Sequence, residues 1–226
     1  SAYRILDAFN MIAYLFAIIL LPLFARMLKL KESIIPIVKT SFSFLFVFTV
    51  FVAIVSLAFA KEIISSLYDY YTNESIQVFG ILMFCLIPVA LTYIFGTLLT
   101  ANGNLYKLNI IAFSGMCVNV VLNLILIPTY QAVGAASVSL LTQVFTAFIQ
   151  TLLAIRLFKI KIKTNEIFIH LLFAVLTLGI IFLSKYYIAN WFVAIIISGM
   201  ASLGVAFVLK IMKPMVLFEL FFASKK

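Results

Sequence analysis

Charged residues are scarce in this chain, and so is cysteine. Only 10% of its 226 residues are charged, whereas 66% are hydrophobic, and the mean hydropathy is +1.27. Soluble globular domains are about 25% charged and about 45–50% apolar, so this composition excludes a soluble enzyme and a disordered tail. Both cysteines, Cys85 and Cys117, lie in apolar stretches, which predicts neither a disulfide framework nor a metal–thiolate site.

Acidic residues and histidine are too few to build the usual catalytic and metal-binding groups. The chain holds seven Asp and Glu residues and one histidine, His170. An intramembrane enzyme needs an acid, a base, a nucleophile or a metal set, whereas His170 lies close to Glu166 in a position typical of a membrane interface. We therefore predict that the protein is not an enzyme and holds no metal or cofactor, with proton or sodium coupling left open.

Long polar loops are also missing, because seven apolar runs occupy most of the chain. Each run is near the length of about 20 residues that crosses a hydrocarbon core. The runs are apolar on successive residues, whereas the strands of a membrane barrel alternate with a period of two. The sequence therefore predicts an all-α, polytopic membrane protein with about seven transmembrane helices, at approximately 5–24, 38–60, 78–100, 108–127, 134–157, 167–184 and 191–209.

The basic residues are concentrated in alternate connections between the runs. Only Arg4, Lys61 and Lys185 lie on one side of the predicted membrane. The other thirteen follow the first, third, fifth and seventh runs: Arg26, Lys29, Lys31, Lys39, Lys107, Arg156, Lys159, Lys161, Lys163, Lys210, Lys213, Lys225 and Lys226. By the positive-inside rule, this pattern predicts a cytoplasmic C-terminus. The net charge of +9 then reflects topology and lipid contact, and it predicts no nucleic-acid partner.

Polar residues recur on one face of the first predicted helix. Asp7, Asn10 and Tyr14 are three and four residues apart, which places them on the same helical face. Arg4 precedes Asp7 by three residues. Two interpretations stay open: the two charges pair and anchor the helix at the interface, or Asp7 faces an aqueous substrate path.

The fifth predicted helix carries a second polar stripe with the same spacing. Two such stripes favour a shared hydrophilic path between helices, and we take the residues of both, together with Arg4, as candidates for it. Proline and glycine in the third run favour bending there, and Pro88 and Gly96 are the hinge candidates. The members of the second stripe are Ser139, Gln143, Thr146 and Gln150.

Three motifs, in order and at matching distances, resemble a known transporter family. Asn102-Gly103-Asn104 is similar to its turn, the segment 122–128 to its "LN-x-IL-IP" helix end, and 134–136 to its following "G-A-A". On these motifs the chain resembles the C-terminal half of polysaccharide flippases of the multidrug/oligosaccharidyl-lipid/polysaccharide exporter superfamily. The start of the chain and the segment KEIISSLYD are similar to the eighth helix of that fold and to its short outer amphipathic element.

This resemblance implies both an architecture and a substrate. The seven spans would be helices eight to fourteen of a fourteen-helix fold, with residues 1–157 as the core of the C-terminal lobe and 158–226 as two peripheral helices and a cytoplasmic tail. The N-terminal lobe would lie outside this sequence. The resemblance implies a transporter in the bacterial or archaeal inner membrane that flips a polyprenyl-pyrophosphate-linked oligosaccharide by alternating access, with the lipid bilayer and that substrate as its partners.

The related lipid II flippases bind sodium with an Asn and an Asp four residues apart and with oxygens of the next helix. The matching positions here are Asn119, Asn123 and Ser139. Asn123 stands where those flippases have the Asp, and hard cations prefer carboxylate oxygens. Two other functions stay open: a multidrug and toxin extrusion antiporter, which shares the fold, and a membrane-embedded glycosyl- or acyltransferase.

Overall fold

The computed structural model of the chain describes residues 2–212, and every regular element in that range is an α-helix. The predicted cytoplasmic tail with Lys213, Lys225 and Lys226 lies outside the described residues. The helices are α1 Ala2–Lys29, α2 Ile35–Ala58, α3 Ala60–Leu67, α4 Asn73–Phe84, α5 Leu86–Ala101, α6 Leu105–Phe158, α7 Thr164–Tyr187 and α8 Trp191–Val208.

The predicted all-α membrane architecture is confirmed. Within residues 2–212, six helical stretches are long and apolar enough to cross a membrane, and the longest of them is the 54-residue α6. This helix doubles back at Gln131, so its two arms pack as an antiparallel hairpin in which Asn119 donates a hydrogen bond to Thr142. We name the arms α6a, residues 105–130, and α6b, residues 132–158; counted separately, they give seven crossings.

The turn between α6a and α6b follows from three residues. Pro128 has no N–H to donate to the helix, and Gln131 adopts φ 48° and ψ −123°, a combination that glycine usually supplies. Gly134 lies so close to the preceding arm that a Cβ atom there would stand 2.6 Å from the carbonyl oxygen of Leu126. The polar connection predicted between the fourth and fifth runs is therefore a tight turn.

The third predicted span is interrupted, because α4 ends at Phe84 and α5 begins at Leu86. The cause is Pro88, whose missing N–H leaves the carbonyl of Phe84 without its helical donor. Before this span, the short helix α3 forms where the outer amphipathic element is expected, after a change of chain direction at Phe59. After the span, Gly103 makes the Asn102-Gly103-Asn104 turn with φ 75°.

The centre of the molecule is formed by α2, α4 and α5, which bury more than half of their side chains. Helices α1 and α6 both pack along α5, and the α7–α8 hairpin packs on α2. The outer helices α1, α6, α7 and α8 leave most of their apolar side chains partly or fully exposed. Apolar residues that face outward are expected where the surrounding solvent is lipid.

The basic connections meet at one end of the bundle. Phe24, Ile34, Leu99 and Ile160 belong to one buried cluster, which holds together the C-terminal ends of α1, α5 and α6 and the N-terminal end of α2. The N-terminal end of α7 joins them through an ion pair between Lys39 and Glu166. The basic residues, which occupy alternate connections along the sequence, therefore lie together at one end of the folded bundle.

Candidate functional site

A polar face on α1 lies at the surface of the molecule. Asp7 is exposed, Tyr14 is 45% exposed, and Asn10 is half-buried with an Oδ1 atom that has no hydrogen-bond partner in the described part of the chain. Arg4 is also exposed, and it forms no ion pair with Asp7 or with any other described acidic residue. The carboxylate is therefore free to meet solvent or a ligand.

The neighbour of this face is Tyr93 of α5, a residue that the sequence did not single out. The rings of Tyr14 and Tyr93 meet edge to face, with centroids 6.1 Å apart and planes at 63°. We name Asp7, Asn10, Tyr14 and Tyr93 the α1–α5 polar face. Tyr93 lies within an apolar run, and hydropathy gives no indication that its ring stands beside another tyrosine.

The stripe on α6b is divided between two neighbours. Thr146 faces α6a, where a Cβ atom on Gly115 would stand 2.5 Å from its Cγ2. Gln150 is 92% buried, and its Oε1 faces α5 at 3.0 Å from the position of a Cβ atom on Gly96. Ser139 donates to the carbonyl oxygen of Ala135 in its own helix, and Gln143 is half-buried.

The two stripes therefore do not meet in this conformation. Helices α1 and α6 both pack along α5, and no extensive contact joins them. Among the buried side-chain oxygens without a partner in the described residues are Thr92 Oγ1, one turn before Gly96 on α5, and Gln150 Oε1, which faces Gly96 from α6b. A buried polar atom without a partner is costly, so these two oxygens make the packing of α5 on α6b less stable than a fully hydrogen-bonded interface.

The hinge candidates lie at opposite ends of α5. Pro88 is buried one turn after the interruption at Cys85. Gly96 lies further along the helix, where its carbonyl oxygen accepts a hydrogen bond from Thr100 Oγ1 at 2.8 Å. Pro88 causes the interruption of the helix. Gly96, which has no side chain, allows Gln150 to approach α5 closely.

The candidate ion-site residues form a hydrogen-bonded chain. Asn123 Nδ2 donates to Asn119 Oδ1 at 2.8 Å, and Asn119 Nδ2 donates to Thr142 Oγ1 at 3.2 Å. The hydroxyl beside the pair is therefore that of Thr142, whereas Ser139 bonds within its own helix. Among the described residues, no group of three His, Cys, Asp or Glu side chains could hold a metal ion.

One side of Asn123 lines a shallow groove of about 360 Å³ on α6a, together with Val120, Leu124, Ile127 and Pro128. Four of these five lining residues are apolar. The asparagines hold the α6 hairpin together, and the groove beside them is suited to a lipid chain more than to an ion.

A polar cluster that sequence reasoning missed joins α2 to α7. Lys39 Nζ binds both carboxylate oxygens of Glu166, at 2.6 and 2.7 Å. His170 Nδ1 lies 2.7 Å from the carbonyl oxygen of Glu166 and its Nε2 lies 3.2 Å from Ser43 Oγ. Because a carbonyl oxygen only accepts, the contact with Glu166 requires a proton on Nδ1, and Nε2 forms the second hydrogen bond of the ring with the Ser43 hydroxyl.

This cluster repeats one spacing on two helices. Lys39 and Ser43 are four residues apart on α2, as are Glu166 and His170 on α7, and the ring of His170 lies 5.1 Å from that of Phe46. The matched spacing near the same end of two spans is the signal that a reader of the sequence could have used. The sequence does not show that α2 and α7 are neighbours.

A second polar contact fixes the far end of the same two helices. Lys185 Nζ lies 3.0 Å from Glu62 Oε1, donates to the carbonyl oxygen of Ala58 and stands 5.1 Å from the ring centroid of Phe59. The last carbonyl of α2 thus receives a cation where the helix dipole is negative. Contacts at both ends hold the α7–α8 hairpin in one register on α2.

The fold and these clusters define a multi-pass helical membrane protein with a polar face inside its spans. A scan against protein-family models and a search of curated proteins both find no match to this chain. The positions and contacts of the side chains are therefore the evidence for a function.

Proposed function

We propose that this chain is part of a transporter that flips a polyprenyl-pyrophosphate-linked oligosaccharide across the cytoplasmic membrane by alternating access. The observation that carries the proposal is the α1–α5 polar face, where the exposed Asp7 and Tyr14 lie inside a helix long enough to span the bilayer. A carboxylate in hydrocarbon is expensive unless it faces protein or water. This face therefore belongs against an aqueous cavity.

The chemistry of the face suits a sugar. Tyr14 and Tyr93 offer aromatic surfaces against which the C–H face of a sugar ring packs, and their hydroxyl groups exchange hydrogen bonds with sugar hydroxyls. The exposed carboxylate of Asp7 adds acceptors. The lipid tail of such a substrate stays in the bilayer, and the groove beside Asn123 is one apolar surface along which it can pass.

Alternating access requires two lobes that close in turn around a central site. We propose that a second, N-terminal lobe faces the α1–α5 polar face and completes the cavity. The interruption at Cys85 and the contact of Gln150 with Gly96 supply the bending and the less stable packing that such a cycle needs.

The test is a flipping assay in proteoliposomes that contain the protein, together with any second lobe encoded with it. A fluorescent polyprenyl-pyrophosphate oligosaccharide starts in one leaflet, and its arrival in the other is measured by a quencher. We expect transfer well above that of empty liposomes and little transfer of a phosphatidylcholine analogue. Export of an amphipathic cation without any glycan transfer would instead establish the multidrug antiporter.

We also propose that the basic end of the bundle is cytoplasmic, from the thirteen-to-three distribution of Lys and Arg. Single cysteines at Thr72 and Tyr187 should react with an impermeant thiol reagent in intact cells, whereas cysteines at Lys107 and Lys161 should react only after lysis. Cys85 and Cys117 are replaced first, because Cys117 is exposed. Labelling of 107 and 161 in intact cells would reverse the orientation.

A further inference from the structure

Four helices end at the basic end of the bundle, and all four finish in the same way. In each, the chain after the last turn passes through a residue with positive φ, and the next N–H bonds back to the carbonyl five residues earlier. Helix α5 uses Gly103 at this position, which is the residue that adopts positive φ without strain.

The other three helices use lysine at the same position. Lys31 ends α1 with φ 58°, Lys159 ends α6 with φ 50°, and Lys210 follows α8 with φ 54°. The closing bonds run from the N–H of Glu32, Ile160 and Ile211 to the carbonyls of Met27, Ile155 and Ala206. We name Lys31, Lys159 and Lys210 the three capping lysines.

Lysine is an unfavourable choice for this backbone, because a Cβ atom crowds the neighbouring carbonyl at positive φ. The presence of lysine at this position is therefore not explained by backbone conformation. Helices that end at the opposite side give a contrast: α2 ends at Phe59 with φ −108° and α7 at Ile188 with φ −110°. The arm α6a also ends there, at Gln131 with φ 48°, but the ψ of −123° lies outside the left-handed helical region that Lys159 adopts.

Position in the bundle separates the lysines from the glycine. Helices α1, α6 and α8 are outer helices with mostly exposed surfaces, whereas α5 is a central helix. All three capping lysines are exposed, and none forms an ion pair with an acidic residue in the described part of the chain. Lysine thus stands at this position in the three outer helices, and glycine stands at it in the central helix α5.

We propose that the three capping lysines bind the phosphate groups of anionic phospholipids. All three lysine side chains are exposed, and the buried Ile160 and Ile211 hold the backbone of two of these turns against the bundle. The exposed Lys161 adds to the positive potential beside Lys159, and the exposed Lys29 adds to it beside Lys31, where Glu32 offsets one charge. Basic residues at the end of a membrane helix attract anionic headgroups over a short range.

The test compares variants that keep the turn but change the charge. Asparagine tolerates positive φ, so the triple variant Lys31→Asn, Lys159→Asn, Lys210→Asn keeps the fold. Phosphatidylglycerol and phosphatidylcholine are titrated separately into purified protein in neutral detergent, and bound lipid is measured by native mass spectrometry. We expect the wild type to prefer phosphatidylglycerol and the triple variant to bind it roughly 100-fold more weakly, about fivefold for each lysine.

Two matched variants define the specificity. Replacement of the same three lysines by arginine keeps the charge and should keep the preference. The control Arg4→Gln, Lys61→Gln, Lys107→Gln removes three exposed cations at ordinary helical positions, none of which forms an ion pair within residues 2–212, and it should keep the preference as well. A triple glycine variant repeats the measurement if the asparagine variant is poorly folded.

Three results would overturn the proposal. Unchanged phosphatidylglycerol binding by both the asparagine and the glycine variants would show that the capping lysines do not bind the lipid. Equal loss in the control would show general attraction by net charge. Displacement of phosphatidylglycerol by inorganic pyrophosphate at low micromolar concentration would show a site for a soluble phosphate. The proposal does not depend on the transport function, so failure of the flipping assay leaves it unaffected.

Discussion

The variant Gly134→Ala should unfold at a temperature roughly 6–12 °C below that of the wild type. Its new Cβ atom would stand 2.6 Å from the carbonyl oxygen and 2.9 Å from the carbonyl carbon of Leu126, both backbone atoms that cannot rotate away. Overpacking of this kind costs about 3 kcal/mol, and 1 kcal/mol shifts the melting temperature of a chain of this size by about 2–4 °C. The measurement is thermal unfolding in detergent, followed by size exclusion.

Two other glycines provide the matched control. Gly179 and Gly204 lie in helices, and a Cβ atom at either would have no atom within 4 Å to meet. Alanine favours the helix over glycine by about 1 kcal/mol, so Gly179→Ala and Gly204→Ala should leave the melting temperature unchanged or raise it. An equal fall in all three variants would contradict the close approach of the two arms of α6.

A second close contact in the α6 hairpin allows a destabilising substitution to be rescued by another one. Alanine at Gly115 would place its Cβ atom 2.5 Å from Cγ2 of Thr146, and serine at position 146 removes that methyl group while keeping the hydroxyl bond to the carbonyl of Thr142. Gly115→Ala alone should therefore destabilise the protein, and Thr146→Ser should restore most of the loss. Additive effects of the two changes would mean that the residues are not in contact.

The second large effect is expected from Asp7→Asn, which should lower the flipping rate at least about tenfold, or about 1.4 kcal/mol. Asp7 is exposed on the α1–α5 polar face and forms no ion pair within the described residues. If its protonation is part of the cycle, asparagine mimics one protonation state permanently and holds one conformation. The measurement is the proteoliposome assay, normalised to the amount of inserted protein.

Arg4→Gln is the matched variant, since it changes a charge one helical turn away. Arg4 is exposed and unpaired in the same part of the chain, so we expect its replacement to leave flipping nearly unchanged. Near-normal flipping by Asp7→Asn together with a loss in Arg4→Gln would assign Asp7 to anchoring of the helix. In that case the proposed substrate path would have to lie elsewhere.

Much of the architecture could be predicted from the sequence, because the free energy of moving a side chain into lipid is a property of that residue and its neighbours along the chain. The runs 5–24 and 167–184 lie within α1 and α7, and the turn after Pro128 separates the two arms of α6 as expected. Pro88 also predicts the break at Cys85, because proline removes a helical hydrogen bond. Hydropathy averaged over the span does not reveal this break.

The contacts between helices could not be predicted in the same way. Asp7, Asn10 and Tyr14 share a face because of the helical period, but only the packing of α1 on α5 brings Tyr93 beside them. The same packing keeps the stripe of Gln150 away from that face, since α5 has α1 and α6 as separate neighbours. Such contacts depend on the rotation of each helix about its own axis, and this rotation cannot be read from the sequence.

By itself, the sequence determined where the chain crosses the membrane, which end of the bundle is basic and which side chains share a helical face. Only the tertiary structure decided that Lys39 meets Glu166, and that lysine occupies a left-handed turn at the end of α1, α6 and α8. The physical reason is the distance along the chain over which each effect acts. Burial in lipid and helical periodicity act within a few residues of the chain, whereas an ion pair between residues 127 positions apart depends on the register of two helices.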